Sequence, residues 1–574
     1  MIIKNILNKK FIQVTTFILY IMAFVVFEIG YCNSANVINF LNGNKDDINY
    51  NFSLCRFLVF LGFLLILFIK RKSFNNDTEK SLEYKLKRIL IYLYLSCSVI
   101  ITIVALYIIL KNPIIIRAMS IGIITILMSG VFVLNVSNNI IKNVIVITFS
   151  VGIVFSISAN YNHAIDEKKH FMTAFNIASG NFDYKNHPIT DKKVNDLPQL
   201  TRYTNIDEFF SERYIPELTD DVNMEDTPST PAIYNFVPYL FSATGIFIAK
   251  VLGGSIIDLY ILGRIFNLIE YCILICIAIK LLPYKKNIFA VVFMMPMALL
   301  LAGTYSIDGY CIGMVSILIA YCLKLKEEKE TISLKDFIKL TLIFGLTLFA
   351  KSMAYILVAG IFLMLPIIKT IKSNRKYIPW MIFATIVSVI IFIIAVIMVK
   401  KTYIISDTRA QGTINPTEQL NVLLYHPIFD IKLILTQIKE TILNFNWWLL
   451  LHQNVFFTND AQCLFMPLAL FILYVSLTED DKNLKIKDKL IMTISFFMVY
   501  LMTSMVLYLS FTEVGTMHVA GYQTRYILPV LPLVLICVSN NKVKYMNKEN
   551  RNINIAIVST IFIGISILQN IIVK

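Results

Sequence analysis

Apolar runs of about 18 to 24 residues recur along nearly the whole chain, the length a helix needs to cross a hydrocarbon core of roughly 30 Å. The pattern predicts an all-α polytopic membrane protein. The first run, residues 11–32, follows Lys9 and Lys10 and lacks a small-residue cleavage site, so it is expected to be a retained anchor. Further spans are expected at 54–69, 89–110, 114–136 and 144–159. The loop after 54–69 holds Lys70, Arg71, Lys72, Lys80, Lys85, Lys87 and Arg88, which fixes it as cytoplasmic by the positive-inside rule.

An odd number of crossings therefore precedes the one large hydrophilic segment, residues 161–231, and places it outside. That segment carries 13 acidic and 7 basic side chains, a sign opposite to that of the cytoplasmic loops. Residues 234–252, which contain Pro238 and end at Gly253-Gly254, are expected to form a helix near the outer interface. Spans follow at 256–282, 288–302, 310–323, 340–349, 356–368 and 378–399. After a second outer segment, 400–460, come 463–477, 490–509, 527–538 and 553–572. The total is about 13–15 transmembrane helices. Three regions result: N-terminal helices (1–160), an outer loop with its interfacial helix (161–255), and a helical core (256–574).

Composition changes this picture little. With 574 residues, 57% of them hydrophobic, 16% charged and a mean hydropathy of +0.69, the chain is too apolar for a soluble globular protein. Its net charge of +15 sits in short loops between spans and not in one patch, which argues against nucleic-acid binding. The nine cysteines are scattered without a C-x-x-C pair and are expected to be small buried residues. Cys32 and Cys55 flank one outer loop and can pair.

Candidate chemistry changes it more, because five polar clusters fall at the outer ends of spans. They are Asp166-Glu167-Lys168-Lys169-His170-Phe171, Ser306-Ile307-Asp308, Lys351 with Tyr355, Asn415-Pro416-x-Glu418-Gln419 with His426, and Gly521-Tyr522-Gln523-Thr524-Arg525-Tyr526. All six histidines lie in outer segments as well. Two adjacent carboxylates and a histidine can supply a general base and a divalent-metal ligand set. If that segment is helical, Glu167 and His170 share a face. Arg525 as a guanidinium fork and Lys351 as a point charge suit a phosphate. The structural alternatives stand beside these. An acidic pair often starts a solvated helix, and Asp308 can cap one. Lys351 and Arg525 can snorkel as interfacial anchors. Trp447-Trp448 can belong to an aromatic belt. Arg264 and Glu270 fall inside one span, where charges mark function by default, although they can pair with each other or with Asn267.

The order of these motifs resembles a known family. Asp166-Glu-x-x-His170-Phe is followed by Tyr234-x-x-x-Pro238-Tyr-Leu and by Arg264. Then come Pro296, Ser306-x-Asp308, Lys351-x-x-x-Tyr355, Asn415-Pro-x-Glu-Gln419 and Gln523-x-Arg525-Tyr526-x-x-Pro529. From about Tyr161 to Val538 the chain resembles the bacterial membrane-protein family of unknown function numbered 2142, itself similar to the GT-C class of polyprenyl-phosphate-sugar-dependent glycosyltransferases. The resemblance implies a GT-C-like multi-helix bundle with an extracytoplasmic site and an N-terminal extension of about four crossings. Asp166 is then the candidate catalytic carboxylate, supported by Glu167 and His170. A divalent cation (Mg or Mn) has Asp166, Glu167, His170 and Asp308 as candidate ligands. Asp308, Lys351, Gln419, Gln523, Arg525, Tyr526 and Arg264 are expected to bind substrate. The function implied is transfer of a sugar from a polyprenyl-phosphate carrier to a cell-envelope glycan, at the outer face of the bacterial cytoplasmic membrane, with the N-terminus cytoplasmic. A transporter or flippase of lipid-linked saccharides, or a non-catalytic partner in polysaccharide assembly, is the alternative.

Overall fold

A computed structural model describes residues 137–158, most of 164–189, 232–367 except 233 and 255, scattered positions between 369 and 390, 414–443, 465–539, 543 and 551–572. The first four expected spans, the Cys32–Cys55 pairing, Trp447-Trp448 and most of the large outer loop lie outside the described residues. Among the described residues every regular element is helical. That follows from hydrophobic runs whose backbone groups must find partners within their own segment.

The order is α1 (Ile140–Ser158), α2 (Glu167–Ala178), a 3-10 turn (Val237–Tyr239) leading into α3 (Leu240–Val251), α4 (Ile256–Leu281), α5 (Lys286–Phe293), α6 (Pro296–Gly303), α7 (Asp308–Glu328) and α8 (Leu334–Tyr355). A 3-10 segment (Ile356–Met364) follows. Then come α9 (Pro416–Tyr425), α10 (Pro427–Leu443), α11 (Phe465–Leu477), α12 (Ile486–Phe511), a second 3-10 segment (Thr524–Val530) running into α13 (Leu531–Val538), and α14 (Arg551–Ile572). Among the described residues three helices, α4, α7 and α12, are long and apolar enough to cross a membrane, and α5 with α6 passes the same test as a pair bent by 58°, a broken span or a re-entrant loop.

Burial ranks these helices. The apolar window of α7 is 94% buried and that of α12 only 33%, so α7 runs through the centre and α12 lies at the periphery of the described helices. A helix that is apolar all round belongs inside a bundle. Around α7 pack α4, α8 and the second 3-10 segment, and α4 in turn carries α1 and α3. One large cluster of buried aliphatic and aromatic side chains unites α1, α4–α8, α11–α14 and both long 3-10 segments. A smaller aromatic cluster of Phe171, Tyr239, Tyr260 and Tyr305 glues α2 and α3 onto the first turns of α4.

Two of the expected spans differ in form. The apolar run 288–302 is one span by length, but Pro296 opens a new helix and holds Met295 extended (φ −63°, ψ 141°), the conformation a following proline enforces. The runs 340–349 and 356–368 are separated in sequence by Lys351, yet α8 continues through that residue with a kink there (φ −123°, ψ 68°). The chain then turns back along α12 as the 3-10 segment.

Polar side chains gather at the two ends of this bundle. At one end lie Asp166, His170, Asp308, Lys351 and Arg525, close enough to influence one another electrostatically. At the other, Lys285 pairs with Asp481, Arg551 with Glu479, Lys326 with Asp488 and Lys482 with Glu327. The 21 residues of α7, with Asp308 at its start and Glu327 in its last turn, separate the ends by about 30 Å at the helical rise of 1.5 Å per residue. Cysteines introduced at His187 and at Lys482 should therefore react with a membrane-impermeant maleimide from opposite sides of a sealed vesicle. Equal labelling of both from one side would contradict the arrangement.

Candidate functional site

The site end is assembled from helices, turns and loops far apart in sequence. The α1 helix contributes the Ser156 carbonyl, which accepts a hydrogen bond from Arg264 Nη1 at 3.1 Å. Arg264, on α4, is 1% exposed and Glu167, on α2, equally buried. Arg264 Nε donates to Glu167 Oε1 at 2.8 Å and Nη2 to Oε2 at 3.0 Å. Glu167 also accepts from the backbone N–H of Tyr305 at 3.0 Å and of Ala164 at 3.2 Å. A bidentate guanidinium–carboxylate pair with its remaining valences filled is the form in which buried charges persist. The fit is close, since a Cβ at Gly263 would collide with the Tyr305 hydroxyl, which itself donates to the Tyr260 carbonyl at 3.0 Å.

That pairing reassigns two expectations. Arg264 meets neither Glu270 nor Asn267 as its charge partner. Asn267 instead donates to the Thr304 carbonyl at 2.8 Å and the Ala302 carbonyl at 3.2 Å, satisfying backbone groups left open where α6 ends. Glu167, expected to support catalysis or hold metal, has both oxygens committed to holding α2 against α4 and the Tyr305 loop. Through those bonds it holds the start of α2, where Asp166 stands.

Asp166 directly precedes α2 in the left-handed region (φ 60°, ψ 18°). That conformation is uncommon outside glycine, and among L-residues aspartate tolerates it best. Its carbonyl accepts from the His170 N–H at 3.1 Å, closing the first turn of α2. His170 is buried, its ring stacked on Tyr234 with centroids 5.8 Å apart. Its Nδ1 shares a 2.6 Å hydrogen bond with the Tyr239 hydroxyl, directed by the imidazole tautomer. Burial lowers the imidazole pKa to about 4. The carboxylates of Asp166 and Asp308 oppose that shift, and Lys351 and Arg525 reinforce it. His170 is thus neutral at physiological pH, a hydrogen-bonding group and not a cation.

Across from this pair stands a charge cluster. Asp308 is the first residue of α7, buried, with its N–H donating to Ser306 Oγ at 3.1 Å. Its carboxylate pairs with Lys351 from the α8 kink and, at 3.4 Å, with Arg525 Nη1 from the second 3-10 segment. The Tyr526 ring lies under both cations, 4.7 Å from Lys351 Nζ and 5.6 Å from the Arg525 guanidinium carbon. Tyr355 ties the two elements together by donating to the Tyr526 carbonyl at 2.9 Å. Asp308 thus faces two cations, and Asp166, near enough to act on Arg525, brings the carboxylates of this end to two as well. Arg525 Nε has no partner, and neither do the buried Gln523 Oε1 and Thr524 Oγ1 beside it. Buried polar atoms without partners mark a place where a ligand or water completes the set.

Asp166, His170, Asp308, Lys351, Arg525 and Tyr526 are thereby brought together, with Gln523 adjoining. Gln419 is not among them. Its side chain accepts from Gly515 N–H at 2.9 Å and donates to the Tyr508 carbonyl at 3.4 Å, which fastens α9 to the loop after α12. The α9 start itself is capped by Asn415, whose side chain accepts from the N–H groups of Thr417 and Glu418. The donors named for a divalent cation do not fit one. Glu167 is spent on Arg264, and Asp308 is already matched by two cations. Among the described residues no group of three or more His, Cys, Asp or Glu side chains converges as a metal site. Sequence reasoning missed the supporting carbonyls and Tyr305, which carry no motif signal.

The His170 pKa fixes a sign. Because the folded value, about 4, lies below the ordinary 6.5, folding disfavours protonation, so stability is complete above about pH 6.5 and falls as the pH drops towards 4. Melting curves in detergent should show that decline, and His170→Gln should flatten it. An identical pH profile for the variant would exclude His170 as its source.

A family model described as "Predicted membrane protein (DUF2142)" matches residues 149–534, more than half of the chain. No curated protein and no solved structure matches it. The matched stretch begins within α1 and ends within α13, so it contains every residue of the assembled cluster and excludes the N-terminal spans. The chain belongs to the DUF2142 family of predicted membrane proteins.

Proposed function

We propose that the protein is a GT-C-like glycosyltransferase, moving a sugar from a polyprenyl-phosphate carrier onto a cell-envelope glycan at the outer face of the bacterial cytoplasmic membrane. The observation that carries this reading is the Asp308–Lys351–Arg525 cluster, which sets two cations side by side next to Asp166 at one end of an apolar bundle. A lipid-linked phosphate is the ligand that brings a long apolar tail and a compact anion to such a place. The opposite end holds Lys285, Lys326, Lys482, Lys489 and Arg551, the charge bias of a cytoplasmic face. That bias supports an outward-facing site.

In this reading Asp166 takes the proton of an acceptor hydroxyl as its oxygen attacks the anomeric carbon of the donor sugar. A glycosidic C–O bond forms and the C–O bond to phosphate breaks. The electron pair departs on the phosphate oxygen, where Arg525 and Lys351 stabilise it. A single displacement of this kind inverts the anomeric centre. Asp308 orients the two cations, the neutral His170 hydrogen-bonds near the reacting hydroxyl, and no step is routed through a metal.

The transporter reading retains one specific observation. Glu270 is buried within α4 with Oε2 unpartnered, and an intramembrane carboxylate is a common mark of ion coupling. The two readings separate on Asp166, which the transferase requires as its base. Asp166→Asn should lower glycan transfer by about 10²–10⁴-fold, the usual contribution of a general base, with protein abundance on immunoblots unchanged. Retained glycan in membranes carrying only this variant would leave a transporter or a non-catalytic partner. Arg525→Ala should weaken binding of a polyprenyl-phosphate sugar by about tenfold or more, one charge-assisted hydrogen bond; an unaltered donor titration would remove the phosphate role.

A further inference from the structure

Beyond the charge cluster, a cavity of about 340 Å³ opens between α10 and the loop that enters the second 3-10 segment. Its walls are Gln437, Glu440 and Thr441 on α10, and His518, Tyr522 and Thr524 on the loop, with Val519, Ala520 and Gly521 between them. This volume lies at the low end of the roughly 300–1,000 Å³ typical of small-molecule sites.

The wall chemistry is specific. Among the described residues the wall carries no lysine or arginine, and Glu440 is its anionic group, so a phosphate belongs at the neighbouring cluster and not here. Gln437 is 3% exposed and Thr524 1% exposed. Gln437 Oε1, Thr524 Oγ1 and the Tyr522 hydroxyl are buried atoms with no hydrogen-bond partner. Other polar groups of the wall are already satisfied: Thr441 Oγ1 and the Tyr500 hydroxyl are 2.9 Å apart, and Gln437 Nε2 donates to Thr441 at 3.4 Å. What is missing is a set of partners for one carbonyl acceptor and two hydroxyls, beside an aromatic ring. An uncharged ligand dense in hydroxyl groups supplies those partners, since each of its O–H groups both donates and accepts.

Position adds a second argument. Tyr522 packs edge-on against Tyr500 at 5.6 Å and against Tyr526 at 6.0 Å, and Tyr526 is the ring beneath Lys351 and Arg525. The cavity and the charge cluster thus share the Tyr522–Tyr526 strip, with Thr524 in one and Arg525 in the other. The strip can enter this wall because Gly521 takes a positive φ of 73°, at a point where a Cβ would strike Phe511.

We propose that this cavity is a saccharide-binding site and seats the acceptor glycan, with Gln437, Glu440, Tyr522 and Thr524 as its hydroxyl-recognising residues. Its role as the acceptor seat rests on the transferase reading; its binding of a saccharide does not. The test uses the full-length protein in nanodiscs and a panel of methyl glycosides bearing a photoreactive diazirine. Crosslinks should map to the peptides holding Gln437–Thr441 and His518–Thr524 and be competed by the plain methyl glycosides. Gln437→Leu and, more conservatively, Tyr522→Phe should each reduce labelling by about two- to tenfold, the worth of one neutral hydrogen bond, at an unchanged melting temperature. Labelling spread over other peptides, or unaffected by Tyr522→Phe, would overturn the proposal. Labelling at the cavity together with full transfer by Asp166→Asn would keep the saccharide site and refute the transferase.

Discussion

A carboxylate buried at the head of an apolar helix has to be neutralised, and in this protein Asp308 meets that requirement with cations from two other elements. Lys351 lies 43 residues away and arrives from a kinked helix; Arg525 arrives from a 3-10 segment next to a proline. Removing either partner leaves a charge unbalanced in a low-dielectric place, a loss of about 3–5 kcal/mol for buried pairs. The mutual requirement of these three groups therefore fixes where α7, α8 and the second 3-10 segment meet. It also holds two cations side by side, the arrangement on which any anion recognition here depends.

A second buried pair does a different job with similar chemistry. Glu167 and Arg264 are matched one to one, with their spare hydrogen-bonding capacity taken up by the N–H groups of Tyr305 and Ala164 and the carbonyl of Ser156. No charge is left over. The pair anchors α2, and the helix start it anchors is the one that puts Asp166 in the left-handed region. Backbone conformations of low population persist where their surroundings over-determine them, and they collect at functional sites. Asp166 and the kinked Lys351 are two such positions, and both belong to the same cluster.

Neighbouring carboxylates thus acquire opposite roles through their partners. Glu167 is closed off by Arg264, whereas Asp166, one residue earlier, stands half-buried at the edge of the site. His170, three residues on, is made neutral by burial and held between Tyr234 and Tyr239. An aromatic strip then continues through Tyr526 and Tyr522 into the polar cavity on α10, which joins a place suited to an anion with one suited to hydroxyls.

Hydrophobic run length and charge sign determined the class of this protein from sequence alone: all-helical, membrane-spanning, with polar residues gathered at the ends of spans. Those features are local, because a span of helix is set by its own side chains and backbone hydrogen bonds. The order of motifs likewise announced Asp166, His170, Asp308, Lys351 and Arg525, each polar against an apolar background. Sequence could not assign partners. Arg264 looked equally ready for Glu270 or Asn267, yet its partner is Glu167, 97 residues away in the chain. Gln419 shared a motif with site residues but ended as a tether for α9. The cavity walls Gln437 and Thr441 showed no signal at all, since they are ordinary polar residues on an amphipathic helix. Only the packing of distant helices decides which buried charge is satisfied and which is left to meet a ligand.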